Sequence, residues 1–392
     1  ASFAGQRAAN LLRSASLPSS GRALDVVQVD AKGYFEYYPS TLRCMVEPEH
    51  AEATVLPLPT GVLVDRVARV APSGRDGGGG RLMLASGRDL AYDYLVLATG
   101  SGYAGPIKCF GGAAASTAAE GEGGHADEGS RRAAQRRRAL ADELKRIEGA
   151  RDIAVVGGGP VGVELAAEIA GKFRGKKVTL YSKSERILPG MDPRASAFAT
   201  AWLEKHGVEI RAGECVESDS DEEAAERLVY TCYGSASNVD FECPLSRSSR
   251  GGLLVKGTMQ SVDDPFVFAV GDCCDVRDAD SGGVAAEKTA FLADVQAVVA
   301  AKNILAMAAG GAATKGADDA LCTLKGFCHG KASLPLVCCI SLYKNSGTFQ
   351  MGGVVVNGYP AAWNKRVIEG FQLDMARNSA SGNSGGLKGR VW

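Results

Sequence analysis

The chain has 392 residues, 45% of them apolar, enough for roughly two to three domains with real cores, which excludes a disordered or fibrous chain. Its 44 Lys and Arg against 45 Asp and Glu leave a formal charge of −1, so no overall field points to nucleic acid or an anionic membrane. No nucleic-acid partner is expected.

From the amino end, an amphipathic stretch (Ala8, Leu11, Leu12) predicts a helix, and Asp25-Val26-Val27-Gln28-Val29 predicts a strand ending at Asp30. A turn-rich block covers Tyr34 to Arg43, and Val62 to Ala71 with Arg81 to Leu84 predicts a hairpin about Ser73 to Gly80. Tyr94 to Gly100 reads as a buried strand running into a glycine turn. Residues 111–130 are low complexity, too poor in apolar surface to offset their ordering entropy. Arg131 to Ile147 predicts a helix whose basic cluster (Arg131, Arg132, Arg136, Arg137, Arg138) reads as a solvated face or, alternatively, as an anion contact.

From Asp152 the pattern is strand (Ile153 to Val156), glycine turn, helix (Val161 to Ala170), strand (Val178 to Tyr181), one βαβ unit of parallel type. Asp192-Pro193 reads as a helix start, and Val208 to Ile210 and Leu228 to Tyr233 as strands. Phe266 to Val270 is an apolar strand closed by Gly271-Asp272, followed by a long helix near Ala285 to Met307. Leu336 to Leu373 alternates strand-like pieces, with Tyr343, Trp363 and Phe371 suited to core packing or to an acceptor pocket. The most apolar segment is cut by Lys302 and Asn303, so nothing is expected to span a bilayer. The 11 cysteines show no C-x-x-C and no zinc spacing, and are expected to be mostly reduced, buried hydrophobes of an intracellular protein.

The chemistry-bearing motif is Gly157-Gly158-Gly159-Pro160-Val161-Gly162, a G-x-G-x-x-G directly after a strand and opening a helix. Gly157 permits the turn, Gly159 lets a pyrophosphate approach the backbone, and Gly162 lets helix and strand pack closely. The position that holds an acid for the ribose of NAD is here Ser182, followed by Lys183, so NADH or NADPH both stay open. At the amino end, Ser2-x-x-Gly5 with its helix and its strand ending in Asp30 reads as the back half of a second fingerprint, with Asp30 the acid for an adenosine ribose.

Two dinucleotide fingerprints in one chain point to a nicotinamide set against a flavin. With Ala98-Thr99-Gly100, Phe268-Ala269-Val270-Gly271-Asp272, Tyr34-Phe35-Glu36-Tyr37-Tyr38-Pro39 to Arg43, and Lys288-Thr289-Ala290, the chain resembles the pyridine-nucleotide flavoprotein reductases. Within them it is most similar to the apoptosis-inducing-factor-like, ferroptosis-suppressor type, near type II NADH:quinone reductases. The resemblance implies an α/β fold of two Rossmann-like dinucleotide-binding domains, for FAD and NAD(P)H, plus a small C-terminal α+β domain. It implies these bounds: residues 1–112 and 251–325 for FAD, 113–130 an insert, 131–250 for NAD(P)H, 326–392 C-terminal.

The same resemblance implies that Asp272 binds the flavin's ribityl chain, that Arg43 and Ala98, Thr99 and Gly100 lie beside the flavin, and that the helix after Lys288 aims its positive end at it. It places Glu164 on a first helical turn facing nicotinamide and flavin; a helix N-terminal Glu also simply stabilises the dipole. The implied reaction takes a hydride from NADH or NADPH to FAD and two electrons on to a quinone-like acceptor, in a monomer or homodimer that is cytoplasmic or peripheral to an intracellular membrane. The disulfide reductases' C-x-x-x-x-C is missing, since only Cys44 stands in that region. The first strand and first glycine of the FAD domain are also missing. A fragment of an active enzyme is therefore expected, the alternative being a nucleotide-binding relative without turnover.

Overall fold

A computed structural model describes residues 3–17, 21–59, 61–73, 79–103, 105–108, 125–214, 227–277, 288–310, 321–324 and 336–380. Ser2, most of the low-complexity segment, and Cys109, Cys215 and Cys328 lie outside the described residues. The chain is α/β, with parallel strands in both halves.

The amino-terminal half opens with helix α1 (Phe3–Arg13), then strand β1 (Val29–Asp30), helix α2 (Thr41–Val46), and strands β2 (Leu63–Val64) and β3 (Leu95–Leu97). Of the expected strand over 25–30 only β1 is paired, in parallel with β2. The preceding Val27 is 56% exposed. An alternating apolar run becomes a strand only where a neighbour takes its backbone hydrogen bonds, and among the described residues none does so for Val26 and Val27. The expected hairpin forms between Val67–Ala71 and Gly80–Leu84.

Helix α3 (His125–Gly149) starts six residues before the predicted Arg131. Its buried positions Ala133, Arg136, Leu140, Glu143 and Ile147 recur at helical spacing. The basic cluster is therefore not one solvated face. Arg136 is buried and forks onto Glu36 of the Tyr34–Glu36 strand, while Arg137 donates to the Val55 carbonyl at 2.7 Å.

The βαβ unit follows as strand β4 (Asp152–Val156), helix α4 (Pro160–Lys172) and strand β5 (Lys177–Ser182), then helix α5 (Pro193–Lys205), strand β6 (Val208–Ala212) and strand β7 (Arg227–Thr231). The four strands form one all-parallel sheet in the order β6-β5-β4-β7. The apolar runs of the central strands β4 and β5 are buried on both faces, as parallel sheets require, while the edge strands β6 and β7 are partly exposed. The Asp192 side chain caps α5 by accepting from Arg194 N at 2.9 Å.

The chain then returns to the first half. Strand β8 (Val267–Ala269) pairs in parallel with β3, and helix α6 (Ala290–Ala308) packs along α1. By length and composition α6 could cross a membrane, but half of its most apolar window is buried within the protein. Its polar Asn303 is buried too, holding Thr258 O, Cys322 O and Cys322 N.

Strands β9 (Val337–Leu342), β10 (Ser346–Met351) and β11 (Val354–Asn357) form an antiparallel sheet. Helix α7 (Tyr359–Ala380) packs on it, where strand-like pieces were expected as far as Leu373. The polarity of α7 is mixed. Ala362, Lys365, Glu369, Leu373 and Ala376 face inward, while Tyr359, Trp363 and Val367 stand exposed. Charges on the packed face and apolar groups outside erase the pattern by which an amphipathic helix is recognised. Trp363, 57% exposed, is not a core residue.

Candidate active site

The glycine turn of the βαβ unit is sterically committed. A Cβ on Gly162 would run into the Gly157 carbonyl oxygen, and one on Gly158 into the Ser182 side chain. At Gly159 a Cβ would meet nothing within 4 Å. Gly159 is the N-cap of α4 and gives no side-chain cap. The helix thus presents uncapped N–H groups over open space, an arrangement that suits a phosphate. Ser182 is buried under the turn and Lys183 is exposed at the end of β5.

One cavity of about 2150 Å³ joins the two halves, roughly twice the upper range of a single small-ligand pocket. Gly5, Asp30, Ala98, Thr99, Gly100, Gly271, Asp272 and Lys288 line it from the first half, and Pro160, Val161 and Glu164 from the second. Gly157, Gly159, Gly162, Ser182 and Lys183 do not line it. Gly5 of α1 and the Gly271 turn face this same space. A Cβ on Gly271 would lie 3.4 Å from the Ala4 Cβ, and one on Gly5 3.4 Å from the Ala98 Cβ.

Residues 26–29 and Leu95 to Leu97 also line the cavity. Among the described residues no strand lies between β1 and β3, so the cavity runs on into that gap.

The turn after β3 is locked by a residue that the sequence did not single out. Asn238 donates from Nδ2 to Thr99 O at 3.1 Å, and its own carbonyl accepts from the Thr99 hydroxyl at 2.5 Å. Asp272 Oδ2 accepts from Ser101 Oγ at 2.7 Å and faces Lys108 Nζ at 3.4 Å. Lys288 donates to the Asp272 carbonyl at 2.7 Å and to Ser237 Oγ at 2.9 Å, just ahead of the Thr289 cap of α6. Asp30 Oδ1 accepts from the Lys32 and Gly33 N–H groups at 2.9 and 2.8 Å.

A cation–aromatic cluster completes this wall. Tyr38 lies between Lys32, 4.6 Å from its ring centre, and Lys108, at 5.0 Å. Burial pulls the Lys32 ammonium down to about 8, an effect that Glu36 opposes. These two lysines could face a phosphate chain.

Two expected placements differ. Arg43 does not line the cavity; it turns toward α4, with Nη2 3.5 Å from Glu168 Oε1 and 3.2 Å from the Tyr343 carbonyl. A cation of that length goes to the nearest buried carboxylate, and Glu168 is one. Glu164 is on the second turn of α4, not the first, where the dipole effect has faded. Its Oε1 instead accepts from Ser341 N at 2.7 Å, from Ser341 Oγ at 3.1 Å, and from Lys365 Nζ of α7. Burial draws the Lys365 ammonium down, but Glu164 outweighs it and the net direction is upward. Lys365 had no motif to announce it.

A family model described as pyridine nucleotide-disulphide oxidoreductase matches residues 61–291. The chain belongs to that family. Within the pyridine nucleotide-disulphide oxidoreductases it is similar to Fe-regulated protein 8 of Mycosarcoma maydis, 32% identical over 231 residues covering 56% of this chain and 54% of that protein. It is 28% identical to human ferroptosis suppressor protein 1 over 330 residues, 77% of this chain and 78% of that one. It is 30% identical to the type II NADH:quinone oxidoreductase of Haemophilus influenzae over 179 residues, 40% of each chain. Among solved structures, NDH2 from Plasmodium falciparum in complex with NADH matches with a TM-score of 0.63 at 13% identity, over 98% of this chain and 96% of that one. That likeness shows the fold, an α/β architecture with two dinucleotide-binding domains.

Despite the family's name, the described cysteines are unbridged. Burial pushes the Cys44 thiol up to about 12, against the hydrogen bond it shares with Thr54, which leaves little thiolate for exchange chemistry.

Proposed function

We propose that this chain is an FAD-dependent NAD(P)H oxidoreductase that delivers two electrons to a quinone-like acceptor. The observation that carries the reading is the single cavity lined by Gly5 of α1 and the Gly271 turn from one half and by Pro160, Val161 and Glu164 from the other. The glycine cradle fits a dinucleotide, because space is left at Gly159 where a side chain would intrude. When bound, FAD and NAD(P)H supply the hydride and electron chemistry. The protein binds and orients them. The α4 N-terminus and Lys32 and Lys108 would hold phosphates, Asp272 and Asp30 would take sugar hydroxyls, and the Glu164–Lys365 pair would border the reacting end. The acceptor class rests on the quinone oxidoreductase among the relatives.

The exposed apolar face of α7 (Tyr359, Trp363, Val367) supports peripheral contact with a membrane, where a quinone would be met. Reconstitution with FAD tests the reading: NADH or NADPH should bleach the flavin and a soluble quinone should restore its colour. Bound FAD that neither nicotinamide bleaches would overturn it.

A second reading, a nucleotide-binding relative without turnover, is favoured by the gap between β1 and β3. It expects bound nucleotide that neither NADH nor NADPH reduces, whereas bleaching of bound FAD by either would exclude it.

A further inference from the structure

Glu168 lies one turn beyond Glu164 on the same side of α4 and is 1% exposed. Its Oε1 is 3.5 Å from Arg43 Nη2, and its Oε2 is buried with no hydrogen-bond partner. The ionisable groups around it come from each packed element: Arg43 of α2, Lys365 of α7, Glu164 of α4 itself, and Glu47 just after α2. Glu47 in turn meets Lys344 at 2.5 Å, Lys172 at 3.8 Å and the Tyr343 hydroxyl at 3.3 Å. Lys344 reaches solvent. Glu168 therefore lies within electrostatic reach of buried Glu47, whose partner Lys344 is exposed, and of Glu164 on the cavity wall, with Arg43 and Lys365 as the cations near it.

We infer that Glu168 is the proton-holding residue of this site, a buried carboxyl that feeds a proton through the Glu164–Lys365 pair to the acceptor and is reloaded from the Glu47–Lys344 side. The inference rests on the oxidoreductase reading. NAD(P)H yields one proton and two electrons as hydride, while a quinone becoming a hydroquinone takes two electrons and two protons. The second proton comes from a group on the protein, which solvent then restores. An orphan oxygen in an apolar setting favours the neutral carboxyl, since a charge there has no donor to spread onto. Burial, partly offset by Arg43 and Lys365, lifts Glu168 to about 7, where it can both hold and release a proton. Glu168 touches no substrate, so it acts as a positioning and supply residue rather than a catalytic one.

The test compares wild type with E168Q, which keeps shape but carries no exchangeable acid, and with E168D. In the wild type, acceptor reduction should break near neutrality. E168Q should lose that break and slow acceptor reduction by about tenfold or more, while flavin bleaching by NADH changes less than about twofold; E168D should retain a shifted break. An infrared pH titration gives a readout independent of turnover: a protonated-carboxyl band that fades through neutrality in the wild type and is missing in E168Q. An E168Q profile that matches wild type overturns the inference, as does an infrared band unchanged by the substitution. If the wild type reduces no quinone at all, the oxidoreductase reading fails, and the infrared band alone decides whether Glu168 holds the proton.

Discussion

Lys365, on a helix near the carboxyl end, donates to Oε1 of Glu164, on the helix that opens with the dinucleotide glycines, 201 positions away in the chain. Both side chains are nearly buried. This pair ties α7 and the β9 sheet to the nucleotide-binding unit at the cavity wall. Glu164→Gln should destabilise by about 2 kcal/mol, less than a fully buried pair because a little solvent reaches both groups. Urea unfolding of the two single variants and of E164Q/K365M should reveal positive coupling. Additive single effects would show that the pair is incidental.

Two glycines of the same turn should behave oppositely. Gly162→Ala forces a Cβ into the Gly157 carbonyl, so it should lose about 1–3 kcal/mol and also nucleotide binding. Gly159→Ala meets no atom of the protein, so it should stay within about 1 kcal/mol of wild type yet weaken binding. Thermal melts with NADH fluorescence titrations separate the two effects, and equal melting losses would contradict the assignment.

Arg136 and Glu36 form the most deeply buried ion pair among the described residues, 4% and 2% exposed at the side chain. Arg136 also donates to the Pro106 and Ile107 carbonyls at 3.1 and 3.0 Å. Arg136→Met strands the Glu36 carboxylate and should destabilise by about 3–5 kcal/mol. Denaturant midpoints check this, and a shift under about 1 kcal/mol would mean that solvent compensates the lost partner.

Glu168 also makes a stability prediction. Its folded pKa of about 7 lies above its ordinary carboxylate value of 4.5, so between those values the folded state binds the extra proton. Stability should therefore fall as pH rises from about 4.5 to about 7, by about 3 kcal/mol at most. In E168Q this slope should vanish, making the variant relatively more stable above neutrality. Melting temperature against pH measures it directly.

The exposed row on α7 makes a last one. Trp363→Glu should reduce co-sedimentation with lipid vesicles by about tenfold without altering the melting temperature. No binding by wild type would remove the membrane proposal.

The sequence by itself determined what short-range rules govern. The strand, glycine turn and helix at 152–170 are specified because only glycine fits the steric demands at Gly157, Gly158 and Gly162, and strand periodicity sets up the parallel sheet around them. The turns at Thr99 and Gly271 were legible for the same reason. Tertiary structure alone decided which distant groups share a space. Lys365, Asn238, Lys32 and Lys108 carry no local signal, because a lysine or asparagine in a helix or loop reads as solvated until its partner is known. It also turned Arg43 away from the cavity, since the pull of buried Glu168 depends on how α2 and α4 pack. The mixed polarity of α7 has the same origin. Lys365 and Glu369 face inward because Glu164 and His50, on other elements, are there to pair with them.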